Sequence, residues 1–270
     1  MIGLAVAALL ALPPADRLVE VSGVTLHLQC DGTRPPGAPL VVLEAGAGNT
    51  THTWRDVFGP IAQFARVCAY DRQGMGTSGK APRVPTFGDT VASLHALLEA
   101  AGERPPYVMA GHSYGGALIR LYAQRYPAEV RGLVLIDSSH EDQVRRFAAV
   151  PAPAPPPPAS MPALPGLPAP VIRPMSEPID LDGMAEVMSQ SPWHANIPLV
   201  VLTRTAPADA AGDPRGAIWQ ELQRELATRS PQGEHIVAPN SGHYIQNDEP
   251  ALVIDAIRRV MAKARSGSAG

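Results

Sequence analysis

The sequence predicts a mostly parallel, doubly wound α/β domain that opens on a hairpin. Three observations carry this. Two adjacent strand patterns lead the chain, apolar strand-like runs then alternate with helix-period segments, and residues 107–123 read as one strand–turn–helix passage.

The strand patterns, in order, cover Leu18–Val21, Val24–Cys30, Leu40–Glu44, Val67–Tyr70, Tyr107–Ala110, Leu133–Asp137, Leu199–Thr203 and His235–Ala238. Helical patterns lie between the later ones. Thr86–Ala101 places Val91, Leu94, Leu98 and Ala101 on one face, and Ala217–Thr228 does the same with Ile218, Leu222 and Leu226. In Pro250–Lys263 the face is Val253, Ile254, Ile257 and Val260. Pro250 suits a first helical turn, and Gly102 suits a helix end.

At 270 residues and 45% hydrophobic, the chain is long enough to bury one large core. Its formal charge of −3 and its scattered arginines argue against a nucleic-acid partner or an acidic ligand. Only Lys80 and Lys263 among the 22 basic residues are lysines. The uncharged run at residues 1–12 is too short to span a membrane, which takes about 20 residues. It has the length of a signal-peptide core without the basic residues that normally precede one. A short anchor and an apolar arm packed on the domain are the competing readings. We therefore assign 1–15 to an apolar N-terminal segment, 16–140 and 191–264 to the core, and 265–270 to a tail.

Residues 141–190 interrupt the alternation. Twelve prolines fall between Val150 and Pro178, which excludes a regular helix or a central strand there. The segment reads as a proline-rich flap inserted after the sixth strand, with short helices expected at Glu141–Ala148 and Leu181–Ser189. The alternative is a disordered excursion that touches nothing.

The passage Tyr107–Ala123 carries the chemistry. A short apolar strand runs into Gly111-His112-Ser113-Tyr114-Gly115 and then into a helix, the pattern of a nucleophile elbow. The sharp turn leaves no room for a Cβ at either glycine and lifts the Ser113 hydroxyl from the sheet. A serine hydroxyl is a weak nucleophile at neutral pH and needs a base within hydrogen-bond reach. Of eight histidines, His243 is the best placed, in a Ser-Gly-His loop between the last strand and the last helix. His112 is expected to point away and pack, and His140 and His194, flanking the insert, are at most pocket lining. No histidine pair has metal-ligand spacing, so neither a metal nor a cofactor is expected.

Four passages together resemble the α/β-hydrolase superfamily, in its single-domain serine esterase and lipase-like branch. Leu40–Gly48 resembles the third strand with the oxyanion loop after it, and Tyr70–Ser78 resembles the Tyr-Asp-x-Arg-Gly-x-Gly-x-Ser turn. Gly111–Gly116 is similar to the elbow, and Ser241–Tyr244 to the late histidine loop. The resemblance covers 16–140 and 196–262. It implies an eight-stranded sheet with an inserted cap, and a triad in the order Ser, acid, His. It also puts the strands of Cys30 and Cys68 side by side. A disulfide there would imply an oxidising compartment and export, whereas two buried thiols would leave the cytoplasm open.

The acid is the open member. The seventh strand runs into Arg204-Thr205-Ala206, where relatives usually carry an aspartate, and Asp209 and Asp213 come late in that loop. Asp137, ending the sixth strand, is the preferred acid because some branches keep it there and a buried aspartate needs a donor such as an imidazole N–H. The expected oxyanion hole is the Ala47 and Tyr114 amides, although Glu44-Ala45-Gly46 departs from the usual His-Gly pair. The implied activity is hydrolysis of a small-molecule ester by acyl transfer. Amide, peptide or carbon–carbon bond hydrolysis, perhydrolysis, and a slow-turnover receptor are the rivals.

Overall fold

A computed structural model describes residues 16–80, 82–150, 177, 179–190, 193–205 and 214–266. The eight predicted strands are present: β1 (Asp16–Val21), β2 (Val24–Asp31), β3 (Leu40–Glu44), β4 (Val67–Tyr70), β5 (Tyr107–His112), β6 (Val130–Ile136), β7 (Leu199–Arg204) and β8 (Gly233–Ala238). They form one sheet in the order β1-β2-β4-β3-β5-β6-β7-β8. The β1–β2 and β2–β4 pairs are antiparallel and every later pair is parallel. β5 extends two residues past its predicted end to His112, and Asp137 lies just beyond β6.

The central strands are buried on both faces, as parallel strands must be when helices cover them. Along β3, Leu40 and Val42 enter one core while Val41 and Leu43 enter the other. The first core lies under α2 (Phe87–Ala100), α3 (Tyr114–Arg125), α5 (Leu181–Gln190) and α6 (Pro214–Ala227). The second lies under α1 (Phe58–Ala62) and α8 (Pro250–Ser266), with the short α7 (Ile245–Asp248) at its rim. Thr86 and Asp89 close a reciprocal capping box that starts α2. On α6 the buried stripe is Trp219, Leu222, Gln223 and Leu226, one position off the predicted face at its start. Two of those residues are polar-tipped because they serve the end of β6, described below.

Cys30 and Cys68 face each other in register on β2 and β4 and form a disulfide, with Cα atoms 4.2 Å apart. Between β6 and β7 lie α4 (Gln143–Ala148) and α5, near the short helices expected there. The proline run 151–176, the apolar segment 1–15, and both Asp209 and Asp213 lie outside the described residues. No described helix is long and apolar enough to cross a membrane.

Candidate active site

The elbow is built by close backbone packing. A Cβ on Gly111 would meet the Gly115 carbonyl oxygen at 2.5 Å, and one on Gly115 would meet the Glu44 carbonyl oxygen at 2.2 Å. The start of α3 is thus pressed against the end of β3, which brings the loop after β3 beside Tyr114. Ser113 sits between β5 and α3 with φ 52° and ψ −121°. A left-handed φ at a non-glycine residue costs about 1–3 kcal/mol and persists only where its surroundings enforce it. Here the Ser113 amide donates to the Ile136 carbonyl at 3.0 Å, and the Ser139 amide donates to the Ser113 carbonyl at 2.9 Å. Both tie the elbow to the end of β6.

Asp137 follows directly, also at positive φ (43°), with no solvent exposure. Its carboxylate is saturated with donors. His243 Nδ1 lies 2.5 Å from Oδ2, and the Trp219 indole N–H donates to Oδ1 at 2.7 Å. Arg204 contributes twice, through its amide to Oδ1 at 3.2 Å and through its guanidinium to Oδ2. Burial pushes the Asp137 carboxyl up, but His243, Arg204 and Trp219 outweigh it and hold the group below the usual carboxylate range. Arg204 Nη1 also lies 3.1 Å from His243 Nδ1. That nitrogen cannot donate to Asp137 and accept from Arg204 at once. The shorter contact to the carboxylate puts a proton on Nδ1, which leaves Nε2 as the nitrogen that can take up a further one.

His243 is held from the other side by His112. The His112 Nε2–H donates to the His243 carbonyl at 2.8 Å, and the two rings lie 4.6 Å apart. Because His112 is bonded to Ser113 in the chain, this contact sets the His243 loop beside the elbow. Burial, followed by the His243 charge, pushes the His112 imidazole down to about 3, so it stays neutral. His112 is buried and packs, but it faces His243 rather than pointing away, and it clamps the loop.

The structure therefore brings Ser113, Asp137 and His243 to one end of the sheet, with Ala47 and Tyr114 on the adjoining loop and helix start. Tyr114 opens α3, so its amide has no carbonyl one turn back to bond. The expectation of pocket lining fails for His140. It is fully buried, accepts from the Asp142 amide at 3.0 Å, and is pushed by burial to about 4. His194 instead meets Arg229 at 3.1 Å. Trp219, Arg204 and Gln223 escaped the sequence reading. Gln223 brackets Ser138 from both sides, accepting from its amide at 3.2 Å and donating to its carbonyl at 2.7 Å.

On the other side of β5, Glu44 ends β3 in full burial. It accepts from the Tyr70 hydroxyl and from Arg72 Nη1, each at 2.7 Å. Arg72 also donates to the Ala45 and Gly46 carbonyls, each at 2.6 Å, and so fixes the start of the loop after β3.

Residues 39–164 match the family model described as the alpha/beta hydrolase fold, which agrees with the strand order and the elbow. The chain has the α/β-hydrolase fold. Across 252 residues the chain is 29% identical to the uncharacterized protein YqjL of Bacillus subtilis (strain 168), covering 92% of this chain and 93% of that one. A solved thermophilic esterase from Thermogutta terrifontis superposes with a TM-score of 0.62 at 21% identity, over 93% of this chain and 99% of the other. A bacterial membrane phospholipase A gives 0.62 at 20% identity, over 93% and 86%. These structural likenesses establish the fold.

Proposed function

We propose that this α/β-hydrolase cleaves carboxylic esters through an acyl-enzyme on Ser113, with His243 as base and Asp137 as the acid that orients it. The observation that carries this reading is the 2.5 Å contact between His243 Nδ1 and a carboxylate with no solvent exposure, beside a serine held at positive φ. Ser113 and His243 are both partly exposed, as groups that meet a substrate must be.

In the first half-reaction His243 Nε2 takes the hydroxyl proton as Ser113 Oγ attacks the ester carbonyl. The Ala47 and Tyr114 amides receive the oxyanion, and Asp137 stabilises the imidazolium. The alcohol leaves with the proton from Nε2. Water, deprotonated by the same nitrogen, then releases the acid and regenerates Ser113. The disulfide of Cys30 and Cys68 favours an exported protein, consistent with the apolar N-terminal run.

The test is steady-state hydrolysis of 4-nitrophenyl butyrate together with fluorophosphonate labelling located by mass spectrometry. Wild type should turn over and carry the label on Ser113, and Ser113→Ala should do neither. A label on Ser113 with no turnover of esters would move the assignment to amide bonds or to a slow receptor. Full activity in Ser113→Ala would end the serine mechanism.

A further inference from the structure

We propose that the cleft beside the oxyanion loop is a carboxylate-binding subsite, so that the preferred substrates are esters bearing a second, free acid group. The proposal rests on the ester-hydrolase reading above, and its test separates the two. The key side chain is Arg72, just after β4, with 4% side-chain exposure. Its Nη1 is committed to Glu44 and the Ala45 carbonyl, and its Nη2 bonds the Gly46 carbonyl. The remaining edge of the fork is taken by Glu177, a residue of the segment between β6 and β7. Nε lies 2.5 Å from Oε1, and Nη2 lies 2.7 Å from Oε2. The Gly48 amide adds a third donor to Oε2 at 2.8 Å.

Three preset donors, two from a planar fork and one from a loop amide, thus converge on one carboxylate. The receptacle belongs to the sheet end and the oxyanion loop, but its occupant comes from outside them, 105 positions along the chain from Arg72. Glu44 already supplies Arg72 with one carboxylate, so Glu177 is a second acid on the same cation. An incoming substrate carboxylate that replaces Glu177 leaves the local charge unchanged and restores all three hydrogen bonds. Arg72 stays paired throughout the exchange, which avoids the cost of an uncompensated buried charge.

The location ties this cleft to the chemistry. Tyr114, next to the nucleophile, lines it together with Arg72, Gln73 and Glu177. The Arg72 guanidinium lies 5.9 Å from the Tyr114 ring centroid. Gly48, the third donor, directly follows Ala47. A carboxylate seated here is therefore a short linker away from a carbonyl held by the Ala47 and Tyr114 amides, as in the half-ester of a short dicarboxylic acid.

The experiment compares mono-4-nitrophenyl glutarate with its uncharged counterpart, methyl 4-nitrophenyl glutarate, in wild type, Glu177→Ala and Arg72→Gln. In Glu177→Ala the ratio of kcat/KM for the charged over the neutral ester should rise at least about tenfold, through KM, because the internal competitor is gone. In Arg72→Gln the ratio should fall below that of wild type. If Arg72→Gln does not fold, Glu177→Ala decides alone. An unchanged ratio in Glu177→Ala, with both esters losing equally, would overturn the subsite and make Glu177 a latch for the inserted segment. Calorimetric titration of glutarate into Ser113→Ala and Ser113→Ala/Glu177→Ala needs no turnover. At least about tenfold tighter binding to the double variant is expected, and equal binding would overturn the proposal. A gain in glutarate binding with no hydrolysis of either ester would sink the esterase reading while leaving the subsite standing.

Discussion

Two buried carboxylates flank β5, the strand that runs into the elbow at Ser113: Asp137 past the end of β6 and Glu44 at the end of β3. Each is fully buried and each is paired with an arginine, yet their ionisation is driven in opposite directions. Burial is the largest influence on both and pushes both carboxyls up. At Asp137 the His243 contact, the Arg204 charge and the Trp219 N–H reverse it, and the group is held low. At Glu44 the opposing partners are Arg72 and the Tyr70 hydroxyl, while Glu177 adds a like charge, and the group stays raised. Arg72 itself is held protonated more firmly than usual: burial opposes its charge, but Glu177 and Glu44 outweigh it. A neighbouring arginine therefore does not fix the state of a buried acid. The number of donors does, together with how many acids share the cation. Asp137 is held as an anion against His243, whereas Glu44 holds a loop.

The sharpest way to break this contrast is to neutralise each acid with its amide. Asp137→Asn should lower kcat on 4-nitrophenyl butyrate by about 10³–10⁴-fold, because an amide neither fixes the productive tautomer of His243 nor stabilises the imidazolium. Glu44→Gln should stay within about tenfold of wild type, since a neutral side chain still bridges Tyr70 and Arg72. A Glu44→Gln enzyme as crippled as Asp137→Asn would show that the loop side takes part in proton transfer, and the contrast would fail.

The two sides also differed in how far they could be read from sequence. Ser113 and His243 stand in local patterns whose geometry the neighbouring residues dictate. The expectation that a carboxylate at a buried strand end finds an imidazole donor is met at Asp137, whereas Asp209 and Asp213, the other candidate acids, lie outside the described residues. Arg204 was visible only as the missing acid after β7. Its pairing with Asp137 depends on β6 and β7 lying side by side and on the reach of a long side chain, neither of which is local. Trp219 read as a helix residue off the apolar face, and its indole meets Asp137 from 82 positions away. On the Glu44 side the departure from the usual His-Gly pair was visible, but the network behind it was not. Glu177 adjoins a proline run, and nothing nearby in sequence signals that it reaches Arg72.

A smaller effect should come from removing the cation that separates the two environments. In Arg204→Gln, Asp137 keeps His243 and Trp219 but loses the charge that helps hold its carboxyl low. Activity that needs the carboxylate is lost as pH falls through its folded value. Raising that value therefore moves the acidic limb of the kcat/KM profile to higher pH, by about half a unit to one unit. Loss of a cation favours proton uptake by every neighbour, so the sign holds whichever group sets the limb. A limb that stays in place would mean that Arg204 serves only to pack on Trp219, 4.7 Å from its ring centroid.

The mildest test concerns His112, the β5 residue that joins the elbow to the His243 loop between the two acids. Its imidazole stays neutral in the fold down to about 3, whereas an unfolded histidine takes up a proton near 6.5. Between those values the unfolded state binds more protons. Stability therefore falls as pH drops from about 6.5 towards 3, at up to about 1.4 kcal/mol per pH unit. His112→Asn removes this slope while giving up a hydrogen bond worth about 1 kcal/mol. Urea unfolding should find the variant less stable than wild type at pH 7, with the gap closing or reversing by pH 4.5. His140, held near 4 by its own burial, is present in both proteins, so the difference isolates His112. Parallel pH dependences would mean that His112 is protonated in the fold. Its Nε2–H bond to the His243 carbonyl would then be charge-assisted, and a cation would stand between the acids where the structure has a neutral clamp.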